Sequence, residues 1–386
     1  MKITSKTIFL GVLITINAHA NDLNVAQAEI KTLFDNILLK DNIYNGSMAI
    51  FSPSKNIDWR FVGGQFRTNE KVLLTNPFHT ASIGKTFTAT AVLMLYEQGY
   101  LKLNDRIAKY LPKEIVSGLH QFEGKNYANA ITIKQLLQHT SGLPNYFEDE
   151  TTDGFLNGMS LLFKETERVW SPEELVNISK MSMKPHFIPG TNYRYSDTGY
   201  ILLGLIVEHL SGQHLHDFFE QHIFAPLDMK NTHMHLRARP DVATGKMTEL
   251  YAGSIEISTF KSLSLDWAGG GIASTADDLN KFQIALHSHQ LLSPETLTKM
   301  QQWVSESNGV YYGLGLRKIS IEERLSSISD LNLLGHTGST SSFMFFCPEL
   351  DVYLSGSFNQ IDQVVLSIKA PVDILAHIQR QMKSEE

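Results

Sequence analysis

The sequence predicts a mixed α/β fold of the α+β type: an antiparallel sheet built from both ends of the chain and flanked by helices, plus an inserted helical region. Three observations carry this. Strand-like runs occur early, at Met48 to Ser52 and Ile57 to Gly63, and return late, at Tyr311 to Leu316, Phe343 to Cys347 and Val352 to Ser357. Between them, roughly residues 100–300, helix-start signals dominate. With 386 residues, 42% of them hydrophobic, the chain can bury a substantial core. No repeat, low-complexity tract or linker divides it.

In chain order, Ala26 to Leu39 has helical periodicity, and the two early strands are joined by the turn Ser52-Pro53-Ser54-Lys55-Asn56 to make a hairpin. Thr86 to Gln98 is a helix-like run. Thr132-Ile133-Lys134-Gln135 and Ser171-Pro172-Glu173-Glu174 fit capping boxes, the second with proline at the first helical position. Tyr200 to Leu210 is an apolar helix closed by Ser211-Gly212. Further helices are expected to start at Thr275, at Ser293-Pro294 and at Pro371, the last with Ile374, Leu375, Ile378 and Met382 on its apolar side.

Residues 1–20 read as a cleavable signal peptide: Lys2 and Lys6 at the start, an apolar stretch Ile8 to Ile16, and the small-x-small site Ala18-His19-Ala20. The remaining 21–386 is expected to form one hydrolase domain, exported to the periplasm or secreted. The net charge of −7 becomes more negative once the leader and its lysines are gone, which disfavours nucleic acid and anionic lipid as partners. No further run is long enough to span a membrane. The single cysteine, Cys347, excludes an internal disulfide and reads as a buried apolar residue.

The chemistry is carried by Ser82-Ile83-Gly84-Lys85 at the head of the helix-like run, where a hydroxyl nucleophile and an amine lie one turn apart on a common face. A serine hydroxyl needs a neighbouring base, and the pairing points to acyl transfer through a serine ester. Two more motifs follow in order: Tyr193-Arg194-Tyr195-Ser196-Asp197-Thr198-Gly199-Tyr200, and Gly335-His336-Thr337-Gly338-Ser339. Supporting stretches are Leu136 to Leu143, Tyr200 to Gly204, Ile223 to Leu227, and Gly269 to Thr275 followed by Asp278-Leu279.

In this order and spacing the motifs resemble the penicillin-recognising serine hydrolases, specifically the group of class C β-lactamases, D-Ala-D-Ala carboxypeptidases and family VIII esterases. The resemblance runs from about Phe78 to Phe358 and implies a β-lactamase-like fold. It implies Ser82 as nucleophile, Lys85 as the group that helps remove its proton, and Tyr195 as general base or acid. The phenol pKa of ~10 would have to fall for that role, and a nearby ammonium would favour phenolate. Whether Lys85 or Tyr195 takes the proton stays open. Backbone N–H groups of Ser82 and Ser339 are implied as the oxyanion hole, with Gly338 allowing close approach.

Two positions depart from the commonest pattern. His336 stands where many β-lactamases have lysine, as in carboxypeptidase and esterase members, and offers a titratable cation to a substrate carboxylate. Asp197 stands where asparagine is common; a carboxylate cannot donate to a substrate amide and would compete with Tyr195 for the Lys85 charge. Asp197, His336, Thr337, Gly338 and Ser339 are thus the expected substrate-binding residues.

No cofactor or metal is expected. The pairs His214/His216, His233/His235 and His287/His289 share a face only on a strand and lack a completing cluster. His139 is expected to hold a structural hydrogen bond. Phe147, Phe155 and Trp170 fit an acyl pocket and core packing equally. The expected activity is D-Ala-D-Ala carboxypeptidase or peptidase on cell-wall or D-amino-acid peptides, with carboxylesterase and β-lactamase as alternatives. A covalent penicillin-binding sensor without turnover is the rival from another class.

Overall fold

A computed structural model describes residues 7–152, 154–238, 244–325 and 330–383, with side chains from residue 23 onward except at 325 and 383. Residues 1–6 of the expected leader, and the side chains of all of it, lie outside the described part. No described helix is long and apolar enough to cross a membrane.

The main sheet has eight antiparallel strands: β1 (Asn45–Ser52), β2 (Ile57–Gly64), β3 (Val304–Ser307), β4 (Val310–Tyr312), β5 (Arg317–Ser320), β6 (Asn332–Gly338), β7 (Ser342–Cys347) and β8 (Val352–Ser357). Their spatial order is β3-β4-β5-β6-β7-β8-β1-β2, so the N-terminal hairpin docks on the last C-terminal strand, with Ile50 opposite Leu354. Both ends of the chain therefore complete one sheet, as the sequence predicts. In β2, Ile57, Trp59 and Phe61 point inward while Asp58 and Arg60 face water, the period-two pattern of an edge strand with one covered face.

Helices α1 (Thr7–Leu38) and α5 (Leu366–Lys383) cover one face of this sheet, burying Phe34, Ile374 and Ile378 against Phe343, Phe345 and Leu354. Against the other face lies α4 (Ala276–His287), tied to β8 by Gln283 Nε2 donating to Ser355 Oγ at 3.1 Å. The second core surrounds α2 (Gly84–Glu97), whose sides are buried almost all round, and α3 (Asp197–Ser211) beside it. Both capping boxes form, at Thr132 and Ser171, and Gly212 closes α3 in the left-handed conformation at φ 69°.

Two expectations are corrected. The run Tyr311 to Leu316 is not one strand: β4 ends at Tyr312, and Gly313 to Gly315 turn the chain back into β5. Gly315 has φ 78°, and a Cβ there would come within 2.1 Å of Ala89 Cβ on α2, so the turn is pressed against the central helix. The third motif, which stands just before β7, itself forms the end of β6, with His336 paired to Met344. The last helix begins at Leu366 rather than Pro371, which lies inside it; the buried Leu366 and Ala370 hold the extra turn to the core although Pro371 has no N–H to give.

Candidate active site

A three-stranded sheet of Phe78–His79, Ile272–Ser274 and His233–Met234 delivers the chain to Ser82. Thr80 donates to Ile272 O through both its N–H and its Oγ1, at 2.9 and 2.8 Å, and Ser342 Oγ on β7 donates to Thr80 O at 2.8 Å. Ala81 is then forced to φ 48°, a left-handed conformation that costs an L-residue on the order of 1–3 kcal/mol. That turn presents Ser82, half-buried, at the head of α2.

One helical turn on, the fully buried Lys85 aims Nζ at three oxygens: Ser82 Oγ at 3.2 Å, Gly269 O at 2.8 Å, and Asp197 Oδ1 in a short ion pair. Gly269 O and the Asp197 carboxylate can only accept, so two of the three directions around Nζ are fixed as donors. The third faces Ser82 Oγ, the one partner that can accept or give a proton. Glycine is needed at Gly269 and Gly270, because a Cβ on the first would sit 3.1 Å from Asp197 Oδ1 and on the second 2.8 Å from Ala81 C. Asp197 is the first residue of α3, where a carboxylate also faces the positive helix end. The Lys85 charge is held by Asp197, the competition expected from the sequence.

Tyr195 lies with its ring centroid 5.0 Å from Lys85 Nζ, the amine that also meets Ser82 Oγ. Burial, and then the Asp197 charge, push this phenol well above its ordinary value, while Arg317 and Ser82 pull the other way. The downward shift expected from Lys85 is therefore not the net result; Tyr195 is an uncharged phenol in the resting site.

The loop from Gln138 to Asn145 clamps the second motif. Ser196 N–H donates to His139 Nδ1 at 3.1 Å, Ser196 Oγ and Thr198 Oγ1 donate to Pro144 O at 2.8 and 2.7 Å, and Asp197 N–H donates to Asn145 Oδ1 at 3.2 Å. His139 stacks on Tyr195 with centroids 4.3 Å apart, a positioning contact.

On the opposite wall, Gly338 ends β6 against the nucleophile turn, where a Cβ would come 2.3 Å from Thr80 O. Ser339 follows it, exposed. His336 is fully buried. Its Nδ1 donates to Thr337 O at 2.7 Å, and its Nε2 lies 3.0 Å from the Tyr312 hydroxyl. Burial first, then the Arg317 and Lys85 charges, hold its pKa well below the ordinary value. The expected carboxylate-facing imidazolium is thus not what this wall presents.

The cation on this wall is Arg317 of β5, in register with Gly335. It donates through Nη1 to Thr337 Oγ1 at 2.7 Å, and through Nε and Nη2 to both oxygens of Glu306 at 2.9 and 2.8 Å. Its guanidinium carbon lies 5.7 Å from the Tyr195 ring centroid. Sequence reading missed Arg317 and Glu306 because their strands went unrecognised; pairing β5 with the third motif would have exposed the arginine. A cleft of 460 Å³ opens on Tyr195 and is lined also by Asn145, Glu148, Tyr193, Arg194 and Glu306.

Among the other expectations, Phe155 and Trp170 line a separate hollow with Leu161 and Ile178, and Phe147 packs on Tyr146 at 5.9 Å. No group of three or more metal-ligating side chains occurs among the described residues. Cys347 is buried, with its thiol pushed up to about 12 by burial.

The Beta-lactamase family model matches residues 48–367. Penicillin-binding protein 4* of Bacillus subtilis is 26% identical over 302 residues, covering 74% of this chain and 62% of that protein. The chain thus spans less than two thirds of that relative's length. Among solved structures, a D-stereospecific amidohydrolase from Streptomyces sp. is 25% identical with a TM-score of 0.69, covering 87% of this chain and 93% of that one. A D-amino acid amidase from Ochrobactrum anthropi, in complex with L-phenylalanine amide, superposes with a TM-score of 0.73 at 23% identity, covering 94% and 99%.

Proposed function

The chain belongs to the Beta-lactamase family, and on that premise we propose that it is a serine hydrolase forming an acyl-enzyme on Ser82, acting on D-amino-acid amides and small peptides. The observation that carries this reading is the convergence of Ser82 Oγ, Asp197 and Gly269 O on Lys85 Nζ, with the uncharged Tyr195 ring 5.0 Å from the same amine. As Ser82 Oγ attacks the carbonyl, Lys85 Nζ hands one of its protons to the Asp197 carboxylate and takes the Ser82 proton in its place, so the pair gains one proton. Tyr195 gives its own proton to the departing amine and regains one from that pair. Backbone N–H groups of Ser82 and Ser339 would hold the oxyanion, an interaction that forms only as charge develops in the transition state. Water then repeats the sequence to release the acid.

The substrate class rests on the D-specific activities that two structural neighbours carry in their names. The test is a panel of D- and L-phenylalanine amide, a D-Ala-D-Ala peptide, a penicillin and an activated ester, followed through burst and steady state. We expect many turnovers of the D-amide, with kcat/KM at least about tenfold above the L-amide, a 1.4 kcal/mol discrimination in the transition state. A single equivalent of product from every substrate would make the protein a covalent binder instead.

A further inference from the structure

We infer that Glu306 is a specificity-determining residue: by occupying the side of the Arg317 guanidinium, it turns the cleft against substrates that carry a carboxylate on the leaving-group side of the scissile bond. The inference rests on the hydrolase reading above and narrows its substrates to those with uncharged or cationic leaving portions.

Arg317 lies where a leaving-group carboxylate would be read. Its Nη1 is bonded to Thr337, next to the Gly338 that abuts the nucleophile turn, and its carbon lies 5.7 Å from the Tyr195 ring that Lys85 Nζ approaches to 5.0 Å. A planar guanidinium in that place is a natural bidentate carboxylate binder. Here Nε and Nη2 are already engaged by the two oxygens of Glu306 at 2.9 and 2.8 Å, with the arginine 13% and the glutamate 20% exposed. A second carboxylate arriving at the remaining edge meets a cation whose charge is already matched.

The rest of the wall gives such an anion no other partner. Lys85 is held by Asp197 and Arg194 by Asp149, whereas among the described residues the Glu148 carboxylate is bonded to the Asn145 amide alone, at 3.3 Å. His336 and His139, packed around the same rings, are both held neutral. Each of the three cations, Lys85, Arg194 and Arg317, is thus paired with a carboxylate, and the cleft lining adds the acid Glu148 beyond those pairs, so the field opposes an anionic leaving group and favours a neutral or cationic one. Discrimination by an unfavourable element is as effective as discrimination by an added contact.

The experiment compares two matched substrates, acyl-D-Ala-D-Ala with a free C-terminal carboxylate and the same peptide capped as the amide, in the wild type, Glu306→Gln and Glu306→Gln/Arg317→Gln. The wild type is expected to favour the capped peptide at least about tenfold in kcat/KM. In Glu306→Gln the free-acid to capped ratio should rise at least about tenfold, chiefly through KM, and in the double variant that gain should vanish. Overturning results are a wild type that prefers the free acid, or a ratio unmoved by Glu306→Gln in a folded protein whose Ser82 still acylates. Absence of Ser82 acylation by either peptide and by an activated ester would instead bring down the hydrolase reading itself. The wild-type preference decides the matter even where a variant does not fold.

Discussion

The two walls of the cleft solve the same problem, placing charge beside a reacting bond, by different routes. On the nucleophile wall Ser82 and Lys85 share one helical turn, and Asp197 is the first residue of the next major helix, so each group comes from a recognisable motif. On the opposite wall the motif residue His336 is buried and neutral, and the charge comes from Arg317 and Glu306 on β5 and β3, which no motif marks. Local geometry is written into contiguous sequence. Charge supplied across strands depends on register, which a one-residue slip would reverse.

The sharpest way to break this comparison is to remove the charge from the nucleophile wall. Lys85→Ala takes away the group that contacts Ser82 Oγ and leaves Asp197 as an uncompensated carboxylate. Stopped-flow acylation with an activated ester should fall by about 10²–10⁴-fold, the scale of a positioned acid or base, with a lowered melting temperature from the orphaned charge. A near-normal acylation rate would mean that Lys85 is a structural counter-ion.

A smaller effect sharpens the other wall. His79, His233, His235 and His287 are held down at about 3 to 4 by burial, and His139 and His336 are also well below their ordinary value. A histidine with a depressed folded pKa binds its proton first in the unfolded state, so its contribution to stability is present above about pH 6.5 and lost as pH falls below it. Asp266, raised to about 7, works in the opposite sense, its contribution fading as pH rises toward that value. The histidines outnumber it, so denaturant midpoints should fall between pH 6.5 and 4.5. His336→Gln should flatten that slope by up to about 1.4 kcal/mol per pH unit. An unchanged slope would mean that His336 titrates normally and faces solvent.

The fold was legible where pattern is local. The hairpin turn, both capping boxes and the Gly212 stop follow from turn and cap chemistry, and strands at both ends implied a sheet closed by the termini. What escaped was set by tertiary contact. Gly315 breaks a run of strand-forming residues because the chain is pressed on Ala89, and Pro371 sits inside a helix because Leu366 and Ala370 anchor the turn before it. In the site, Ser82 and Lys85 meet as their spacing suggested, and Tyr195 and Asp197, named by the family resemblance, lie beside the same amine. The protonation states of Tyr195 and His336 did not follow from residue type, because both are decided by burial and by an arginine that no motif contains.

The central claim is that Ser82 carries the acyl group, and the most direct test is intact mass followed by peptide mapping after reaction with a fluorophosphonate or a slowly deacylating penicillin. The wild type should gain the mass of one adduct, mapped to the peptide containing Ser82, and Ser82→Ala should gain none while melting at a similar temperature. An adduct on another residue, or one that forms equally in Ser82→Ala, would contradict the account.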